Sequence, residues 1–172
     1  MKKTISFLLK KKAVMKDDSF RSLSKKFLDK SRMNLTTMSI LSELNENEKA
    51  KELLKIPKGY DSNEWVVITG YYAMYTSALA LLAKIGFKSK NHTATLLVLD
   101  EFFVKKKLLD NNLLSALKSA LFQKEEIEKL SDARGKREIA QYSVTKETTK
   151  EIAKKIKKDA YEFINKVELI LN

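Results

Sequence analysis

Apolar positions along the chain recur mainly at three- and four-residue steps, the period of a helix with one buried face. Asp17, Asp18 and Ser19 offer N-caps, and beyond them Phe20, Leu23, Phe27 and Leu28 begin a stripe. Met33, Leu35, Met38, Leu41 and Leu44 continue it, which predicts one long amphipathic helix ending near residue 44. Asn45 to Glu48 interrupts the pattern, and Ala50, Leu53, Leu54 and Ile56 form a short second helix or an extension of the first. Pro57-Lys58-Gly59 closes that segment, since proline lacks a backbone donor and glycine accepts a cap conformation.

The next helix is capped by Asp61, Ser62 or Asn63 and runs through an uncharged stretch to Ile85, stopping at Gly86. Lys88 to Asn91 reads as a loop, with Asn91 or Thr93 capping a helix that carries Leu96, Leu97, Leu99, Phe102, Phe103 and Val104. After a break at Asp110-Asn111-Asn112, Leu113, Leu114, Leu117, Ala120, Leu121 and Phe122 make a further short helix. Residues 124–142 are densely charged, with Ile127, Leu130, Ala133, Ile139 and Ala140 spaced helically and Gly135 marking a kink. The last helix starts near Thr145 and keeps Ile152, Ile156, Ala160, Phe163, Ile164 and Val167 on one face. No window alternates with period two for long enough to predict a strand. The expectation is an all-α protein, an antiparallel up-and-down four-helix bundle with extra short helices.

Composition narrows the picture further. The 172 residues include four glycines, one proline and no cysteine. The length fits one domain, residues 17–172, preceded by a basic, poorly patterned arm over residues 1–16 that is expected to fray. Without cysteine there is no disulfide framework, thiol chemistry or Cys-based metal site, and the single histidine excludes a multi-histidine one. Neither a metal nor another cofactor is expected.

Net charge is +12, and it is uneven: residues 1–60 carry 15 basic and 7 acidic groups, against 12 and 10 in residues 121–172. Such a balance suits nucleic acid, an acidic protein or an anionic membrane surface, and equally a lysine-rich surface with no partner. The opening Met1-Lys2-Lys3 and Thr4 to Leu9 imitate a secretion signal, but the apolar run is too short and Lys10-Lys11-Lys12 follows at once. Trp65 to Ala83 is uncharged and long enough to span a bilayer. Its centre is diluted by Thr69, Gly70, Tyr71, Tyr72 and Tyr75, so a buried bundle helix is the better reading. A cytoplasmic protein with no membrane role is expected.

Most catalytic templates are missing: there is no Walker loop, dinucleotide fingerprint, zincin motif, nucleophile elbow or EF-hand loop. The carboxylate pairs Asp100-Glu101 and Glu125-Glu126 sit in helical charge runs and read as solvated faces. His92, in a polar loop at a helix start, reads as an exposed capping or anion-facing residue. Tyr71, Tyr72 and Tyr75 read first as core or dimer contacts, although buried hydroxyls need partners and some should face a polar groove.

Three segments remain. Gly70-Tyr71-Tyr72-Ala73-Met74-Tyr75 continues through Ala78 and Ala80-Leu81-Leu82 to Gly86 and His92. Arg134-Gly135-Lys136-Arg137-Glu138-Ile139-Ala140-Gln141-Tyr142 is basic and ends on a phenol, and Ala160 to Val167 closes the chain's last helix. In order and spacing these resemble the HEPN domain family, over roughly residues 20–172. The resemblance implies a helical bundle that is usually a homodimer, often paired with a minimal nucleotidyltransferase in toxin–antitoxin systems. Active members are metal-independent ribonucleases with an arginine, four to six residues, then a histidine. There the arginine steadies charge on the phosphate while a base assists the ribose 2′-hydroxyl.

Here the four residues after Arg137 lead to Tyr142 where such a nuclease carries histidine. A phenol titrates near 10 and is a poor base at neutral pH. What remains is an anion site of Arg134, Lys136 and Arg137 with Tyr142 and His92, suited to RNA or a nucleotide. The first expectation is therefore a HEPN-like binding domain. The alternatives are a ribonuclease toxin using Arg137 and Tyr142, with His92 as a further candidate, and a non-catalytic helical interaction module.

Overall fold

The computed structural model describes residues 3–135 and 150–172, with side chains over 4–129 and 150–172. Among these residues the elements run α1 (Lys3–Lys10), β1 (Val14–Lys16), α2 (Leu23–Glu46), α3 (Glu48–Leu53) and α4 (Asn63–Lys84). They continue with β2 (Phe87–Ser89), α5 (His92–Leu99), α6 (Asn111–Gly135) and α7 (Lys150–Leu171). A 3-10 turn at Asp18–Ser22 leads into α2, and a π-helical turn at Asp100–Val104 follows α5. The fold is all-α apart from one short two-stranded antiparallel ribbon, in which Met15 faces Lys88.

α4 is the centre because its sequence has no charge between its ends and can be covered on nearly every side. It packs against α2, α7 and α6, and its Val67, Ala73, Met74, Ala78, Leu81 and Leu82 are fully buried. It is the one helix among the described residues long and apolar enough to cross a membrane, yet 72% of its apolar window is buried within the protein. That marks a core helix. Gly70 lets α2 and α7 approach, since a Cβ there would stand 2.7 Å from Ile156 Cγ2 and 2.9 Å from Met38 Sδ. Ser24 and Ser31 of α2 donate to the α4 carbonyls of Ala80 and Ala73, at 2.9 and 2.8 Å.

Helix ends follow the local signals. Asn47 ends α2 and starts α3, its side chain accepting from the Ala50 N–H at 3.0 Å. Ser62 precedes α4, and its hydroxyl donates to the carbonyl of Leu41 at 2.7 Å. Asn91 caps α5 by accepting from the Ala94 N–H at 2.8 Å. On α7 the residues Ala153, Ile156, Ala160, Phe163, Ile164 and Val167 are buried, the stripe expected from the pattern.

Several expectations are corrected. The N-terminal stretch does not fray over its described residues: it forms α1 and β1, with Ile5 and Val14 fully buried in the core. The apolar residues of this stretch, split by Lys10-Lys11-Lys12, form runs too short to register as a periodic pattern, but tertiary contact fixes them. The segment read as a loop from Lys88 begins within β2, because β1 supplies a partner strand from far earlier in the chain, Met15 standing opposite Lys88. α6 is continuous from Asn111 to Gly135, where two pieces were anticipated. Its charged stretch consists of good helix formers, so the change from apolar to charged carries no break. The start expected near Thr145 lies outside the described residues.

Candidate functional site

α4 places Tyr71 and Tyr75 one turn apart on the same face, with their rings stacked at 5.7 Å between centroids. Asn91 takes the capping role, so His92 becomes the first residue of α5 and is half-buried, neither an exposed residue nor the cap. Its ring meets Tyr75 at 4.5 Å, and the Tyr71 hydroxyl lies 2.5 Å from His92 Nδ1. Thr95, one turn further along α5, links the Ser89 hydroxyl at 2.6 Å with the Tyr75 hydroxyl at 3.4 Å.

α6 brings the cation. Lys124 is only 8% exposed, and its ammonium sits over the rings of Tyr71 and Tyr72, 5.9 and 5.8 Å from their centroids. It is ion-paired with Glu128, one turn on, at 2.5 Å. Burial acts to lower the Lys124 pKa, but the Glu128 hydrogen bond and the nearby Tyr72, Glu128 and Glu125 charges together raise it. Lys124 therefore stays charged at neutral pH. Glu125 and Glu128 are both exposed, so the carboxylates stand on the solvent side of the ammonium.

The electrostatics fix the protons. Burial, reinforced by the neighbouring Tyr75 and Tyr72, drives the Tyr71 phenol far above the ordinary tyrosine range, so it keeps its proton. Among the described residues His92 Nδ1 is the partner of that hydroxyl, so Tyr71 donates and Nδ1 accepts. Burial, and then the Lys124 charge, holds the His92 pKa below its usual value, which keeps the ring neutral at pH 7. A neutral imidazole whose Nδ1 accepts carries its proton on Nε2. His92 is thus arranged as a hydrogen-bond donor beside a cation, which suits holding an anion better than removing a proton.

Of the residues singled out in the sequence, the structure places His92 in this cluster. Arg134 belongs to α6, ten residues beyond Lys124 and so about 15 Å further along the helix axis. Its side chain, and all of Lys136, Arg137 and Tyr142, lie outside the described residues. Lys124 was missed, because nothing local distinguishes it from the other lysines in that charge run. The i, i+4 pair Tyr71 and Tyr75 was the readable signal, and Tyr71 is core as expected while Tyr72 is 37% exposed. Asp100 and Glu101 both pair with Lys105, at 2.9 and 3.0 Å, and Glu126 pairs with Lys129 at 3.1 Å. No cluster suited to a metal ion occurs among the described residues.

Comparison with known proteins agrees with the helical fold. A family model, the HEPN domain, matches residues 44–170, and the chain belongs to that family. It is also similar to a UPF0332 protein of Archaeoglobus fulgidus, with 34% identity over 104 residues, which is 60% of this chain and 72% of that protein. The region matched by the family model contains the Tyr71–His92–Lys124 cluster and the basic segment after it. α1, β1 and most of α2 precede it.

Proposed function

We propose that this HEPN domain binds RNA or a nucleotide, with the His92–Lys124 cluster and the basic segment Arg134, Lys136, Arg137 and Tyr142 as its anion site. The observation that carries the proposal is the Lys124 ammonium held over two tyrosine rings beside a neutral, N–H-presenting His92. A phosphate can replace or join exposed Glu128 at the ammonium, and the exposed edge of Tyr72 offers a surface for a base. The same helix leads from this point to Arg134, which supplies further positive charge.

In this reading the domain is a cytoplasmic four-helix up-and-down bundle acting as a homodimer, with a minimal nucleotidyltransferase as its partner in a toxin–antitoxin pair. Tyr142 stands where an active ribonuclease has histidine, and the proton arrangement at His92 also favours binding over turnover. Equilibrium titration with a short RNA and with AMP, at low and moderate salt, tests the proposal. Arg137→Ala and Lys124→Gln should each weaken binding about tenfold or more; absence of binding even at low salt contradicts it. A ribonuclease would instead cleave that RNA without metal and lose cleavage in Arg137→Ala.

A further inference from the structure

The N-terminal segment brings together lysines that the sequence separates by more than 70 residues. Lys10, Lys11 and Lys12 close α1 and form the turn into β1, Lys16 ends β1, and Lys88 and Lys90 follow on β2 and just beyond it. The Lys90 N–H donates to the Ala13 carbonyl at 3.0 Å, which extends the ribbon beside that turn. All six side chains are exposed. Among the described residues none of the six ammonium groups is ion-paired, in contrast to most lysines of α6 and α7. The two nearest carboxylates in sequence are already engaged: Asp17 accepts from the Ser19 N–H and Asp18 pairs with Arg21.

Three of the lysines are braced by aromatic rings. Lys11 lies over Phe7 at 5.9 Å, Lys16 over Phe87 at 5.6 Å and Lys88 over Phe20 at 5.7 Å. Phe7 itself is 59% exposed. The segment therefore carries six exposed cations without an ion pair among the described residues, Lys88 on the Met15 face of the ribbon and Lys16 on its Phe87 face, together with one outward aromatic ring.

We infer that this ribbon and turn form a second nucleic-acid surface, which takes the phosphate backbone of a single strand and stacks a base on Phe7. It goes beyond the site proposed above and uses none of its residues. Unpaired ammonium groups are what counterion release rewards, and an exposed ring beside them suits an unstacked base. A lipid surface fits less well. The apolar face of α1 is already spent inside, with Ile5 fully buried and Leu8 and Leu9 packed on the core, leaving Phe7 alone to enter a bilayer. A protein partner would need an apolar centre, and the outer face of the ribbon offers only half-buried Met15 between lysines.

The test uses the full chain and 20-nucleotide single-stranded RNA, single-stranded DNA and duplex DNA. Binding is measured at several salt concentrations for wild type, K11Q/K16Q/K88Q/K90Q and Phe7→Ala. A control, K49Q/K55Q/K58Q/K118Q, removes the same charge elsewhere; three of its four sites lie beyond the far end of α2, a helix about 36 Å long. Circular dichroism and thermal melting confirm that each variant is folded. The expected result is at least a tenfold loss for the ribbon variant, a salt slope lower by about 3, and less than a threefold loss for the control. Phe7→Ala should weaken single strands several-fold and leave duplex binding unchanged.

Equal losses in the ribbon variant and the control overturn the inference, as does tighter binding of phosphatidylserine vesicles than of any nucleic acid. The two sites fail separately. If Arg137→Ala and Lys124→Gln abolish binding while the ribbon variant keeps it, this surface is refuted and the first site stands. If the ribbon variant alone loses binding, the first site is refuted. A wild-type chain that binds nothing refutes both.

Discussion

The hydroxyl of Tyr71 on α4 donates to Nδ1 of His92 on α5 across 2.5 Å, and that bond decides which imidazole nitrogen is left for a ligand. A buried phenol that cannot ionise is a reliable donor, so the ring is held neutral with its proton on the far nitrogen. The bond also joins the central helix to a short helix whose contact with α4 is otherwise modest.

Tyr71→Phe keeps the ring and removes the donor. It should cost about 1 kcal/mol in denaturant unfolding. It should also raise the His92 pKa, because the bond lost had favoured the neutral form. An NMR titration of the chain's single histidine reads this directly; an unchanged or lower pKa would mean that Nδ1 does not accept.

The depressed His92 pKa sets a pH dependence. Below the unfolded value of about 6.5 the unfolded chain binds a proton that the folded chain resists, so this residue's contribution makes stability fall with pH until the folded pKa is passed. Melting curves taken from pH 7.5 downward should show that loss beginning near 6.5. His92→Gln should flatten that part of the profile.

Gly70→Ala tests the packing at the centre. The added methyl meets Ile156 and Met38 at under 3.0 Å, and although side chains can yield, three helices converge there. The expected loss is about 1–3 kcal/mol. A neutral or stabilising effect, as for an exposed helical glycine, would contradict the close approach of α2 and α7.

Ile5→Ala asks whether the N-terminal helix belongs to the fold. With Ile5 fully buried the substitution should cost about 2–5 kcal/mol by calorimetry or denaturant melts. A freely frayed segment would give a change near zero.

Helix positions were largely legible in the sequence because each long helix keeps an apolar stripe and is bounded by a local signal, such as Asn47, the Pro57–Gly59 turn or Asn91. Ile5 and Val14 were not legible, since their burial depends on β2 and the core rather than on any repeat of their own. At the site, the spacing of Tyr71 and Tyr75 announced a shared face. Lys124 could not be found that way: its distinction is that α6 carries it over the rings of Tyr71 and Tyr72. A tertiary coincidence leaves no trace in one charge run among several.

Because His92 is the chain's one histidine, its ring resonances report on the proposed site without overlap. The most direct measurement is a nitrogen-15 imidazole spectrum recorded while a short RNA, or AMP, is titrated in. The expected result is a shift of the Nε2–H signal that saturates with the binding isotherm and disappears in Lys124→Gln. Saturable binding that leaves the His92 signals unmoved would contradict the account.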